Sequence, residues 1–255
     1  MLTTISAEFI KLKRSSIVWL ILVGGFLPPI LKAIQYATPE TLVGNGEWSG
    51  FLSISQEINM FITLTVMIIA SAFIFSMEYQ YDTASYLFTT TTPRAQIYIA
   101  KILSLLLQVS GMLFVNALAQ LILGFLVVPE PISEGMLSMW LLSTGWNIAS
   151  YFLLSILVST VAILTRGFLI STAVVYGYLV LTFPIHYYLH NPYINPLLSS
   201  VVAVAKIYGS DRYLFGSYYP NIQVNILGIA FFLIALALIF MIVSILYYRK
   251  SDAIL

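Results

Sequence analysis

Six long stretches of the chain contain no Asp, Glu, Lys or Arg, and this pattern limits the fold more than any other feature. They cover residues 15–31, 58–77, 102–128, 135–165, 167–205 and 213–248. A helix needs about 20 apolar residues to cross a hydrocarbon core of about 30 Å. Charged residues make up only 8% of the chain, whereas a soluble domain carries about 25%. The sequence therefore predicts an all-α integral membrane protein.

The uncharged stretches predict six transmembrane helices. We place them at 16–34, 57–76, 97–127, 139–164, 168–187 and 223–247. The fifth stretch is too long for one crossing, so it is divided between a span and a further apolar segment. Basic residues precede the first span, as they do in a signal peptide. No small-residue cleavage site follows it, and we interpret it as a retained span.

The basic residues predict that both termini lie in the cytoplasm. In that orientation the cytoplasmic side holds Lys11, Lys13, Arg14, Arg94, Lys101, Arg166, Arg249 and Lys250, and the opposite side holds Lys32, Lys206 and Arg212. Cytoplasmic loops of membrane proteins carry an excess of Lys and Arg, and this bias sets the orientation. The formal net charge is only +1 and the basic residues are spread thinly along the chain, so neither the charge nor its pattern indicates a nucleic acid partner.

Three segments outside the spans have a distinct character within one transmembrane domain over 1–255. Residues 1–15 place apolar side chains at helical spacing, which favours an interfacial helix; the alternative is a plain positively charged retention signal. Residues 77–96 form a cytoplasmic segment that is too small for an enzyme domain and large enough to dock on another protein. The extracellular segment 188–222 contains an apolar part that is too short to span.

That apolar part, residues 193–205, favours a re-entrant helix buried against other helices before the last span. An extracellular loop with a hydrophobic patch is the alternative. Between the first two spans, the pattern predicts an exposed outer loop over about 35–56, with a hydrophobic edge formed by Trp48, Phe51 and Leu52.

Several kinds of chemistry are absent from the sequence. No Gly-x-x-x-x-Gly-Lys-Ser/Thr motif is present, so this chain does not cradle ATP phosphates itself. There is no cysteine, which excludes disulfides and thiolate sites. His186 and His190 have the spacing of a metal pair, but no carboxylate lies near them in the sequence. Aromatic neighbours favour interface anchors instead, and we expect no metal site and no catalytic residue.

Amide side chains inside the spans are candidates for a polar interior. Gln108, Asn116 and Gln120 lie on the third span, and Asn147 lies on the fourth. Such amides usually form hydrogen bonds between helices; alternatively, Asn116, Gln120 and Asn147 could line a translocation path. No titratable residue lies in the middle of a span, which is evidence against a proton- or sodium-coupled carrier.

The order of residues after the second span resembles a known motif. Glu78-Tyr79, Thr83, Leu87, Arg94 and Lys101 stand in the order and spacing found in the permease subunits of ABC-2-type exporters. Within them, the chain resembles the small bacterial permeases linked to bacitracin and lantibiotic resistance. Residues 8–14 are similar to the family's opening, and six spans with a re-entrant segment match a type V exporter. Pro93 departs from the family, which places its Pro three residues before the Arg.

The resemblance implies that ATP and Mg are bound by a separate cytoplasmic ATPase dimer, with no cofactor in this chain. The segment 77–94 would be a coupling helix fitting into a groove of the ATPase. Its coupling residues would be Glu78, Tyr79, Thr83, Leu87, Pro93, Arg94 and Lys101. A second copy or a related permease would complete the path, in the bilayer of a bacterial cytoplasmic membrane.

The resemblance also implies export of a hydrophobic or amphipathic substrate, and an antimicrobial or toxin-like peptide is the first expectation. Efflux of a drug, a lipid or sodium remains an alternative. An intramembrane enzyme using His186 or His190 and a non-transporting scaffold or sensor subunit are the other hypotheses.

Overall fold

The computed structural model describes residues 10–11, 17–37, 48–81, 93–189, 193–208, 212–213, 217–218 and 225–250. Seven helices have their bounds within these ranges: α1 Ile17–Ala37, α2 Trp48–Gln80, α3 Arg94–Val127, α4 Glu134–Thr165, α5 Phe168–Leu189, α6 Pro196–Ile207 and α7 Ile226–Lys250. One antiparallel pair joins the two-residue strands β1 Arg212–Tyr213 and β2 Ser217–Tyr218. Over the described ranges the fold is therefore helical, as the sequence predicts.

Five segments are long and apolar enough to cross a membrane. They are Ile17–Ala37, Phe61–Gln80, Arg94–Val127, Glu134–Thr165 and Ile226–Tyr247. The helix α5 has 22 residues. Its side chains are described only over Phe168–Thr182, and this apolar part is shorter than a membrane span. A multi-pass membrane protein is confirmed on this basis, and the sixth span stays a prediction.

Local chemistry explains where α3 and α5 begin and where α4 begins and ends. Pro93 precedes the first residue of α3 with φ −58°, a value already suited to a helix start. The hydroxyl of Ser133 caps α4 by accepting a hydrogen bond from the backbone N–H of Met136. The helix α4 ends at Thr165, and the next residue, Arg166, caps it with a left-handed φ of 53°. That residue and Gly167 turn the chain directly into α5.

The helix α4 lies at the centre of the bundle, where it packs against α2, α3, α5, α6 and α7, while α1 packs on α2 and α3. Hydroxyl groups connect the central helix to its neighbours. Ser200 of α6 donates to Ser150 at 2.7 Å, and Ser244 of α7 donates to Thr160 at 2.8 Å. Small polar side chains allow close helix approach and hydrogen bonding where water is absent.

The predicted exposed loop before the second span is wrong from residue 48 onward. The helix α2 begins at Trp48, and Trp48, Phe51 and Leu52 are buried in a second core cluster. The Trp48 ring packs against Gly124, where no Cβ is in the way, and its Nε1 donates to the carbonyl of Glu130 at 2.8 Å. Tertiary packing thus extends the helix beyond the apolar stretch.

The predicted helix in the outer segment is present as α6. Ser199, Val202, Ala203 and Val204 on it are buried. The indole of Trp146 on α4 donates to its Ser200 carbonyl at 3.1 Å, so α6 belongs to the packed bundle. Its re-entry into a membrane stays a prediction, as does the interfacial helix over 1–15, which falls almost wholly outside the described residues.

Candidate functional site

The carboxylate of Glu78 is the centre of an ion cluster in the last turn of α2. Its Oε1 lies 2.9 Å from Nζ of Lys101 on α3 and 3.2 Å from Nζ of Lys11 in the N-terminal segment. Glu78 is 3% exposed and Lys101 is fully buried. The cluster therefore joins three separate parts of the chain at one end of the bundle.

Burial makes this cluster expensive to disturb. Lys101 also donates to the Ile74 carbonyl at 3.0 Å and lies over the Phe75 ring. A buried ion pair survives desolvation only when such further contacts satisfy its atoms, and removal of one partner costs about 3–5 kcal/mol. The Lys11 side chain keeps 35% of its surface exposed, so it is the partner that water can replace.

A second contact lies next to the ion cluster. The guanidinium of Arg166 lies over the Tyr79 ring, 5.7 Å from its centroid, and its Nε donates to the hydroxyl of Tyr247 at 3.2 Å. These residues join the end of α2, the turn between α4 and α5, and the end of α7. Sequence reasoning placed Arg166 only on the cytoplasmic side and missed this role, although its position directly after a span was a usable signal.

The predicted coupling residues have different surroundings. Glu78 and Lys101 are in contact, and Tyr79 contacts Arg166. Pro93 is exposed, and Arg94 is partly exposed as the first residue of α3. Thr83 and Leu87 lie outside the described residues. Their coupling to an ATPase stays a prediction for all seven residues.

Two amides of α3, Asn116 and Gln120, take part in a buried hydrogen-bond network with α2. Asn116 and Asn59 exchange two side-chain hydrogen bonds at 3.0 and 3.2 Å. Gln120 donates to Asn116 at 2.7 Å, and Thr63 lies 3.4 Å from the Asn59 amide oxygen. The Asn59–Asn116 pair is a hydrogen-bonded contact between helices, which was one of the two alternatives, whereas the Gln120 and Thr63 contacts lie within one helix.

Asn59 and Thr63 were missed by sequence reasoning. The sequence offered a signal for Asn59, since it is the one amide side chain within the uncharged stretch 58–77. Asn147 is buried on α4. A role of Asn116, Gln120 or Asn147 in lining a translocation path remains a hypothesis.

The histidine hypothesis falls outside what the structure describes, because neither the His186 side chain nor His190 is among the described positions. Among the described residues, no group of three or more His, Cys, Asp or Glu side chains could hold a metal ion.

A cavity of about 310 Å³ lies between α4, α5, α6 and α7. Its lining is almost entirely apolar and includes Leu157, Val174, Tyr178, Pro196, Phe232 and Phe240. An apolar cavity with few polar groups accommodates hydrophobic ligands. The arrangement can therefore hold an apolar group.

The fold and its contacts define a multi-pass helical membrane protein whose described ion pairs lie at one end of the bundle. Residues 4–183 match a family described as ABC-2 family transporter protein. This match covers well over half of the chain, and the chain belongs to that family. Its members are membrane components of transporters, not catalytic themselves, and normally work with an ATP-binding subunit. No curated protein sequence matches the chain.

Proposed function

We propose that the chain is the permease subunit of an ABC exporter, driven by a separate cytoplasmic ATPase dimer that binds ATP and Mg. The proposal includes six spans, cytoplasmic termini, a type V-like fold with an interfacial helix over 1–15, and a bacterial cytoplasmic membrane. Two bundles, either two copies or a pair with a related permease, enclose the path.

The observation that carries the proposal is the ion cluster of Lys11, Glu78 and Lys101. Glu78 lies where α2 enters the segment 77–96, and Lys101 lies on the helix that leaves it. Because the two side chains are paired at 2.9 Å, a force on the segment moves α2 and α3 together. The N-terminal segment is tied to the same point through Lys11.

This geometry suits the transmission of a movement from the ATPase to the transmembrane helices. ATP binding by the partner favours one arrangement of the bundle, and the change is a rigid-body movement of packed helices. Arg94 is the partly exposed charge at the entry to α3, two helical turns before Lys101. It is therefore suited to contact the ATPase directly, whereas Glu78 and Lys101 transmit the movement from inside.

The apolar cavity between α4 and α7 supports a hydrophobic or amphipathic substrate. Together with the resemblance to bacitracin- and lantibiotic-resistance permeases, it favours an antimicrobial or toxin-like peptide that enters the path from the lipid. Export of a drug, a lipid or sodium is the alternative within the same mechanism.

Purification of the tagged full chain from its native membranes in a mild detergent tests the proposal. An ATP-binding subunit should copurify, and the complex should hydrolyse ATP while the chain alone does not. Deletion of the chain should make cells more sensitive to bacitracin or a lantibiotic. If no ATP-binding protein is recovered after cross-linking in membranes, the proposal is wrong.

The variant Arg94→Glu tests the proposed contact between Arg94 and the ATPase. It should lower peptide resistance at least tenfold while the complex keeps ATP hydrolysis, because the substitution reverses the charge at a partly exposed position at the entry to α3. Lys206→Glu is the matched control, because this exposed residue lies in the last turn of α6 and is predicted on the opposite side of the membrane. Equal loss of resistance in both variants would contradict a specific role for Arg94.

A further inference from the structure

The helix α1 contains two adjacent prolines, Pro28 and Pro29. Each lacks a backbone N–H, so each leaves the carbonyl four residues earlier without its helical donor. Those carbonyls belong to Gly24 and Gly25. In a lipid environment a backbone carbonyl must be satisfied within the protein.

Side chains of two neighbouring helices supply the missing donors. The hydroxyl of Thr63 on α2 donates to the Gly24 carbonyl at 3.0 Å, and the amide of Asn116 on α3 donates to the Gly25 carbonyl at 3.1 Å. Both donors are buried. The two carbonyls of α1 that lack a helical donor thus each accept a hydrogen bond from a side chain, one on α2 and the other on α3.

The glycines make this approach possible. A Cβ at Gly24 would lie 2.8 Å from the sulfur of Met112 and 2.9 Å from Cγ1 of Val66. A Cβ at Gly25 would lie 2.9 Å from Cγ1 of Val115. Because only glycine fits at both positions, α1 comes close enough for Thr63 and Asn116 to reach its backbone.

We propose that residues 24–29 of α1 are a hinge and that Thr63 and Asn116 form a latch that holds it closed. Sharp bends in helices occur at proline and where the backbone ladder is interrupted. Here the interruption is bridged by side chains, which can exchange partners without breaking any other turn of α1. Loss of the latch frees the first half of α1 to move against α2 and α3. This inference goes beyond the proposed function and does not depend on the ion cluster or the substrate.

Distance measurement within α1 tests the hinge. The chain has no cysteine, so Trp19→Cys and Ile34→Cys can carry a pair of spin labels; the two residues are 72% and 58% exposed. Fifteen helical residues span about 22 Å. In the full chain in lipid nanodiscs, Thr63→Val with Asn116→Ala should widen the distance distribution by several ångströms. Pro28→Ala with Pro29→Ala should narrow it, because both alanines restore the backbone bonds.

Combining the changes is decisive. In the Pro28→Ala/Pro29→Ala background, Thr63→Val/Asn116→Ala should no longer widen the distribution. Ser71→Ala is the control, because this buried hydroxyl donates to Met67 of its own helix at 2.7 Å, and it should change nothing. If the latch variant equals the parent, or widens both backgrounds equally, the proposal is wrong.

Thermal unfolding provides a second readout should the latch variant unfold. Thr63→Val alone should lower the unfolding temperature in the parent. It should have a smaller effect in Pro28→Ala, where the backbone N–H restored by that substitution serves the Gly24 carbonyl. Equal losses in the two backgrounds would overturn the proposal.

Discussion

At the scale of single residues, the sharing of one carboxylate by two lysines predicts an order of stabilities. Glu78→Gln should cost about 3–5 kcal/mol, because the fully buried Lys101 then loses the carboxylate that lies 2.9 Å from its Nζ. Lys101→Met should cost less, since Glu78 keeps Lys11. The double variant should be more stable than Glu78→Gln alone, because it also removes the buried Lys101 charge that had lost its carboxylate.

Thermal unfolding of the purified chain in detergent measures this order. Glu134→Gln is the control, because that side chain is exposed and its loss should change the unfolding temperature little. Strict addition of the two single losses in the double variant would contradict the pairing.

The sequence predicted part of this site and not its contacts. Glu78 and Lys101 were predicted from their order in a family motif, and such a motif does not tell how far apart two side chains lie in the fold. Their contact depends on how α3 returns along α2, so it becomes visible only in three dimensions. The donors Thr63 and Asn116 are a similar case, because their acceptors are backbone atoms of α1, and only the Pro28-Pro29 pair hinted that those atoms were vacant.

At the scale of elements, two glycines on α3 predict opposite effects of the same substitution. A Cβ at Gly124 would lie 2.6 Å from Cη2 of Trp48, whereas a Cβ at Gly111 would have no atom within 4 Å. Gly124→Ala should therefore destabilise the packing of α3 on α2. Gly111→Ala should be neutral or stabilising by up to about 1 kcal/mol, the difference in helix propensity.

Thermal unfolding and Trp fluorescence of the two variants check this expectation. The summed emission of the four tryptophans should shift only in Gly124→Ala, because Trp48 is the one whose ring the new Cβ displaces. Equal unfolding temperatures for both variants would show that the contact between Trp48 and Gly124 contributes nothing.

Hydropathy predicted most helices within a few residues, because each span needs its own apolar length. It failed at the start of α2, where Trp48, Phe51 and Leu52 alternate with polar residues and resemble a loop. Their burial depends on the missing Cβ of Gly124, far along the chain. Patterns within an element do not contain that information.

At the scale of the whole molecule, the two ends of the bundle differ in chemistry. One end holds Lys11, Glu78, Lys101 and Arg166 in mutual or neighbouring contacts. The other holds the Trp48 cluster, with the hydroxyl of Tyr208 2.7 Å from that of Ser143 on α4. Positively charged ends face the cytoplasm and aromatic residues collect at interfaces, so we expect the first end to be cytoplasmic.

Cysteine labelling tests this orientation and the crossing of α5 together, since the parent chain has no cysteine to react. Three exposed positions serve: Tyr81 after α2, Glu134 at the start of α4, and Lys206 in the last turn of α6. A membrane-impermeant maleimide applied to intact cells should label Glu134→Cys and Lys206→Cys and spare Tyr81→Cys. Inverted vesicles should give the reverse.

The Lys206 position carries the finer information, because two crossings, α4 and α5, separate it from Glu134 if α6 only re-enters. Its labelling together with Glu134 requires that α5 spans, although its described apolar part is short. If Lys206→Cys is instead labelled together with Tyr81→Cys, the chain crosses the membrane an odd number of times between positions 134 and 206, and α5 does not span. Five spans would then replace six, and the C-terminus would lie on the side opposite to Tyr81.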